Sequence, residues 1–184
     1  EAAFVYLQRF DDRSFRTIDS AKVENGRFGF EASLELPEIY GLTTDTTAAP
    51  LLLFLEEGEI RVELNPEEHY SKSVISGSTL HAAYEAYQQD RPEDIGNYIR
   101  ENPNSLVALY ALYRHYAYRL TADEIQSNMA LLNPDLLNTA YAATLKKLVA
   151  TLESVQIGKM APDFSAQSPD GRSISLSDQL NKSY

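Results

Sequence analysis

The sequence predicts an α+β chain with an antiparallel, β-sandwich-like first part, a helical middle and a short final segment of different character. Three observations carry this. Through Gly77, apolar and β-branched runs are separated by turn signals at short intervals. Beyond Gly77 the apolar period lengthens from two to nearly four. At Gly158 it changes again, and Pro162 excludes a helix there. The segments so defined are 1–77, a β-rich domain; 78–156, a helical linker; and 157–184.

In the first segment, the Asn25-Gly26 pair of "RTIDSAKVENGRFGFEA" suits a type I′ turn, which needs positive φ at both central residues. Phe28 and Phe30 then share one face of the returning strand. A second hairpin is expected in "LLLFLEEGEIRVEL", turning at Gly58, with Ile60, Val62 and Leu64 alternating against Glu59, Arg61 and Glu63. "PEIYGLTT" and "KSVISGS" add further strands. About six antiparallel strands imply a small sandwich or open barrel.

The helical segment begins with Leu80, Tyr84 and Tyr87 on one stripe. Pro92 fits the first turn of a short helix carrying Ile95 and Ile99, which Asn102-Pro103 ends. One helix is expected across "NSLVALYALYRHYAYRL", burying Leu106, Leu109, Tyr110, Tyr113, Tyr116, Ala117 and Leu120. Thr121 and Glu124 form a capping-box pattern. Asn133-Pro134-Asp135 starts a last helix with Leu137, Tyr141, Leu145, Leu148 and Leu152 inward. In the final segment "PDGR" is a turn, "RSISL" a short strand, and Ser177 a candidate cap for a further helix. A hairpin of this size needs a sheet to join.

Composition excludes several classes. The chain has 184 residues, 43% hydrophobic content and a net charge of -11, enough apolar matter for a packed core. Residues 1–77 hold fifteen acidic against seven basic residues. That sign repels phosphate backbones, so nucleic acid and anionic membrane are not expected partners. The longest apolar run, "PLLLFL", is followed at once by Glu56 and Glu57, far short of the ~20 apolar residues of a membrane helix. Cysteine is absent, which rules out thiolate catalysis, disulfides and Cys-ligated zinc within these residues.

No residue earns a catalytic, cofactor-binding or metal-binding assignment. His81 and Glu85 stand at i, i+4, with His69, His115, Glu67 and Glu68 elsewhere, but no second His completes a ligand set. His115, beside Arg114, is expected on the polar side of its helix. Glu57 with Glu59, and Glu67 with Glu68, are read as charged edges rather than a glycosidase pair, which needs two carboxylates facing across a bond. Ser20 and Ser177-Asp178 lack a nucleophile elbow. Of twelve tyrosines, Tyr110, Tyr113, Tyr116 and Tyr118 are expected between helices and sheet with hydroxyls at the rim. A tyrosine-lined ligand groove or docking surface is the alternative.

The final segment resembles the opening of thioredoxin-like thiol-disulfide oxidoreductases of the TlpA/ResA type, related to the AhpC/TSA group. The residues that carry the resemblance are Gly158, Ala161-Pro162-Asp163-Phe164, Asp170-Gly171 and Ser175-Leu176-Ser177-Asp178. "VYLQRF", "TIDSAKVENGRFGFE", "PEIYGL", "LLLFLEEGEIRVEL" and "ISGS" resemble, in that order, the uncharacterised accessory domain that often precedes this module in bacterial cell-envelope proteins. The resemblance implies that the chain starts inside that domain and stops, at 181–184, shortly before a Cys-x-x-Cys. It implies a non-catalytic accessory region that positions a redox module acting on protein thiols and disulfides, or that supplies a partner or homodimer surface. It also implies residence in the cell envelope, periplasmic or lipid-anchored. The competing expectation is a stand-alone ligand- or peptide-binding β-domain with open sheet edges.

Overall fold

The computed structural model describes residues 3–11 and 14–180, so the expectation attached to 181–184 lies outside the described residues. β1 (Phe4–Asp11), β2 (Ser14–Lys22), β3 (Glu38–Thr43) and β4 (Leu51–Leu55) form an antiparallel sheet in the order β2-β1-β3-β4. The pairing registers assign each side chain a face. Leu7 opposes Leu42, and Tyr40 opposes Leu53, on one side; Gln8 opposes Gly41, and Ile39 opposes Phe54, on the other. Both sides are covered, which is why all six residues of β3 are buried. Between Leu7 and Gln8 the β1–β2 register shifts, leaving Ile18 as an extra, 47% exposed residue on the edge strand.

Against the first face lies a core of Val5, Leu7, Tyr40, Leu42 and Leu53, covered by Val23, Phe28, Phe30, Val62 and Ile75. The cover includes a second, two-stranded sheet of β5 (Arg61–Glu63) and β6 (Val74–Ser76). The Asn25-Gly26 turn forms with φ of 53° and 73°, and Glu24 and Arg27 exchange backbone hydrogen bonds of 2.9 and 3.0 Å. The returning strand does not form. Phe28 and Phe30 instead pack edge-to-face, with ring centroids 6.1 Å apart, against the same core.

The second expected hairpin is also corrected: β4 pairs with β3, and β5 with β6. The reason lies at the outer edge of β4. There the Phe54 carbonyl accepts from the Ser78 hydroxyl at 2.8 Å, and the Phe54 N–H donates to His81 Nδ1 at 3.5 Å. A helix start occupies the edge a returning strand would need.

That helix, α1 (Thr79–Gln89), is followed by α2 (Ile95–Glu101), α3 (Leu106–Ala111), α4 (Ala122–Met129) and α5 (Ala140–Ser154). They cover the second face of the sheet. Phe10, Ile39 and Phe54 share one core with Ile99, Leu109, Leu112, Ile125 and Leu145. Three helix boundaries differ from expectation. Asp94, not Pro92, begins α2, its carboxylate accepting from the Gly96 N–H at 2.7 Å. The expected long helix ends as α3, then continues as a π turn, Leu112–Tyr116, and a 3₁₀ turn, Ala117–Arg119. The wider turn keeps Leu112 and Tyr116 buried while leaving Tyr118 78% exposed. Asn133-Pro134 caps only a 3₁₀ turn, and Thr139 caps α5. The Thr121–Glu124 capping box forms as expected.

The final segment folds into the hairpin β7 (Ser165–Gln167) and β8 (Ser173–Ser175), joined by a turn in which the Gly171 N–H donates to the Ser168 carbonyl at 2.8 Å. Among the described residues no helix is long and apolar enough to cross a membrane.

Candidate functional site

The junction between the sheet and the helices gathers most of the polar chemistry. Glu56, just past β4, accepts from the Thr79 and Leu80 N–H groups, at 2.5 and 3.1 Å, and from the Thr79 hydroxyl at 2.9 Å. The Leu80 amide, then the Thr79 hydroxyl, hold its carboxyl below the usual carboxylate range. Ser78 completes the cap by accepting from the His81 N–H at 2.9 Å. Gly77 sits at φ +89°, where a Cβ would strike the Glu59 carbonyl, so only glycine fits this turn into α1.

The histidines do not converge. His81 is buried, and burial lowers its basicity against the opposing pull of Glu85, whose carboxylate lies 3.8 Å from Nε2. His69 is exposed in a turn where Glu68, His69 and Tyr70 all have positive φ, fixed by the Tyr70 hydroxyl against Thr43 Oγ1 and the Thr44 N–H, each at 2.9 Å. His115 is not on a polar face. Its ring stacks on Tyr87, its Nδ1 lies 2.8 Å from the Tyr87 hydroxyl, and Tyr110 meets it edge-on. Burial first, then the charges of Arg91 and Arg114, pull its pKa down to about 4. Among the described residues no three His, Cys, Asp or Glu side chains are placed to hold a metal ion.

The candidate carboxylate pairs and serines are surface groups. Glu59 pairs with Arg61 and Glu68 with Lys72, at 2.9 and 2.7 Å, while Glu57 and Glu67 are exposed. Ser20 is exposed on β2. Ser177 and Asp178 bond to Asp163 and Ser175 within the hairpin segment.

The tyrosines form the seam between layers. Phe10 stacks on Tyr141 and meets Tyr113 edge-on, and Phe54 stacks on Tyr84 at 4.3 Å and meets Tyr110 edge-on. Tyr116 is buried with its hydroxyl on the Pro92 carbonyl, and Arg119 covers its ring at 4.6 Å. Tyr118 takes no part in the seam.

Two hollows flank the sheet. One, of about 600 Å³, opens on the first face, floored by Leu7, Leu42, Leu53 and Leu55 and rimmed by Arg27 and Arg61. The other, of about 400 Å³, lies on the helical face among Gln8, Phe10, Phe15, Tyr110, Tyr113 and Tyr141. Sequence reasoning did not single out Gln8 at this second hollow. Its signal was a glutamine at an inward position of its strand.

Residues 1–84 match the profile of a domain of unknown function (DUF4369). The match therefore runs through β1 to β6 and into α1. No curated protein and no solved structure matches the chain.

Proposed function

We propose that this chain is the non-catalytic accessory region of a cell-envelope thiol-disulfide oxidoreductase, and that it holds or presents a thioredoxin-like module. Lacking cysteine, the chain has no thiol redox activity of its own. The observation that supports the reading is the final hairpin. Its two motif halves close on each other: the Asp163 carboxylate accepts from the Ser177 N–H at 2.9 Å and hydroxyl at 2.8 Å, and the Leu176 N–H donates to the Phe164 carbonyl at 2.9 Å. Around this ordered frame Phe164, Ile174 and Leu180 stay 64%, 41% and 62% exposed. A two-stranded hairpin with an exposed apolar side is what an outer pair of a larger sheet looks like before its neighbours are added.

An insulin-reduction assay tests this. The expected result is no turnover by residues 1–184 and turnover by the chain extended through the downstream coding sequence. Reduction by residues 1–184 alone contradicts it.

A second reading, a domain that takes a ligand on its own account, is favoured by the apolar hollow of about 600 Å³, a size typical of small-molecule sites. The outer edge of β2, which among the described residues pairs only with β1, offers a place for an added strand.

A further inference from the structure

Gln8 and Leu52, the two ends of one row across three strands, line the hollow on the helical face. Gln8 on β1 opposes Gly41 on β3, which in turn opposes Leu52 on β4. The middle of that row is covered by Pro50 and Phe15, since a Cβ at Gly41 would lie 2.7 Å from Pro50 and 3.0 Å from Phe15. A glycine inside a central strand costs stability, and here it lets Pro50 and Phe15, both in the lining of the hollow, approach the sheet closely.

Two residues of the lining each carry a buried side-chain oxygen without a partner. Gln8 Oε1 and the Tyr141 hydroxyl are the buried side-chain oxygens that make no hydrogen bond among the described residues. Gln8 is 3% exposed and Tyr141 fully buried, and both residues line the cavity. The Gln8 amide is oriented by its other end, Nε2 donating to Thr17 Oγ1 at 3.4 Å; a flipped amide would leave Nε2 unpaired instead. Buried polar groups are normally satisfied, so two orphans beside one cavity ask for a bound partner. Tyr141 is strongly raised in pKa by burial and is therefore a neutral donor.

We infer that this cavity binds a small hydroxylated aromatic carboxylic acid. Phe10, Phe15, Tyr110 and Tyr113 supply aromatic walls suited to a flat ring. A ligand hydroxyl has the donor that Gln8 Oε1 lacks and the acceptor that the Tyr141 hydroxyl lacks. Arg114 is the cation of the lining, is exposed, and makes no ion pair with a carboxylate among the described residues. It is suited to receive the carboxylate. The volume of about 400 Å³ holds one such molecule. This site is independent of any thiol chemistry and stands or falls apart from the accessory-region reading.

The test is titration of the whole chain with 4-hydroxybenzoate, followed by calorimetry and by shifts of the tyrosine ring resonances. Saturable binding of one molecule is expected, weakened about tenfold in benzoate, which lacks the hydroxyl. Arg114→Ala and Tyr141→Phe should each weaken it by a similar factor. Tyr141→Phe removes a single buried, unpaired oxygen, so it should raise the melting temperature of the free protein while it impairs binding, which a merely structural tyrosine would not do. Gln8→Leu should behave the same way; if it does not fold, Tyr141→Phe decides alone. Absence of saturable binding, or equal affinity in the wild type, Arg114→Ala and Tyr141→Phe, overturns the inference.

Discussion

The ring of Phe10 on β1 lies over the ring of Tyr141 on α5, with centroids 4.4 Å apart and planes 14° from parallel. This contact joins the second strand of the sheet order to the last long helix, across more than a hundred residues of chain. Tyr113 and Phe15 close on the same phenyl ring edge-on, at 5.5 and 5.7 Å. The seam therefore couples the β layer to the helical layer through one buried aromatic.

Phe10→Ala should cost about 3–5 kcal/mol, since it opens a cavity at the centre of this cluster. Because the sheet and helices share one core, urea unfolding should be a single transition with the same midpoint by far-ultraviolet circular dichroism and by tyrosine fluorescence. Two resolved transitions would show that the layers are energetically separate.

At the β4–α1 junction, Ser78→Ala removes both a helix cap and the donor to the Phe54 carbonyl, and should destabilise by about 1–2 kcal/mol. Glu56 adds a pH signature. Its folded-state pKa lies below the ordinary 4.5, so its stabilising contribution is complete above that value and is lost as the pH falls through the lower, folded one. Glu56→Gln should flatten the urea midpoint against pH in that acid range and leave the shape of the curve near neutrality unchanged.

His115 produces the complementary effect at higher pH. Its pKa is about 4 in the folded protein against 6.5 ordinarily, so the unfolded chain takes up a proton that the folded one refuses. Stability therefore falls as the pH drops from 6.5 to about 4 and levels below that. His115→Phe keeps a ring on Tyr87 but loses the hydrogen bond, so it should be less stable at neutral pH and show a shallower decline over this window. His81, whose basicity burial also lowers, contributes to the slope that remains. Urea midpoints measured through the window check both.

Much of the fold was legible in residue order. The strand at "PEIYGLTT", the Asn25-Gly26 turn and the Thr121–Glu124 box are local readings, and each formed where it was expected. What was not legible depended on contacts distant in sequence. Gly58 looked like a hairpin turn, yet Ser78 and His81, twenty or more residues on, took the edge of β4. His115 looked polar beside Arg114, yet the π turn brings it against Tyr87 and Tyr110. The orphaned oxygens of Gln8 and Tyr141 had no sequence signature beyond burial, because an unmet hydrogen bond exists only once every neighbour is in place.

The final hairpin should be the least protected ordered element. β7 is exposed throughout, and β8 nearly so, whereas β3 is buried at every position. Amide exchange of residues 165–175 should run orders of magnitude faster than that of β1 and β3. Protection of the hairpin equal to that of β3 would mean that it docks on the rest of the chain.

The most direct test of the accessory-region account is the coding sequence downstream of Tyr184 in the natural gene. The account predicts a Cys-x-x-Cys within about 20 codons, at the start of a βαβ pattern. A stop codon at that point, or a continuation without the cysteine pair, contradicts it.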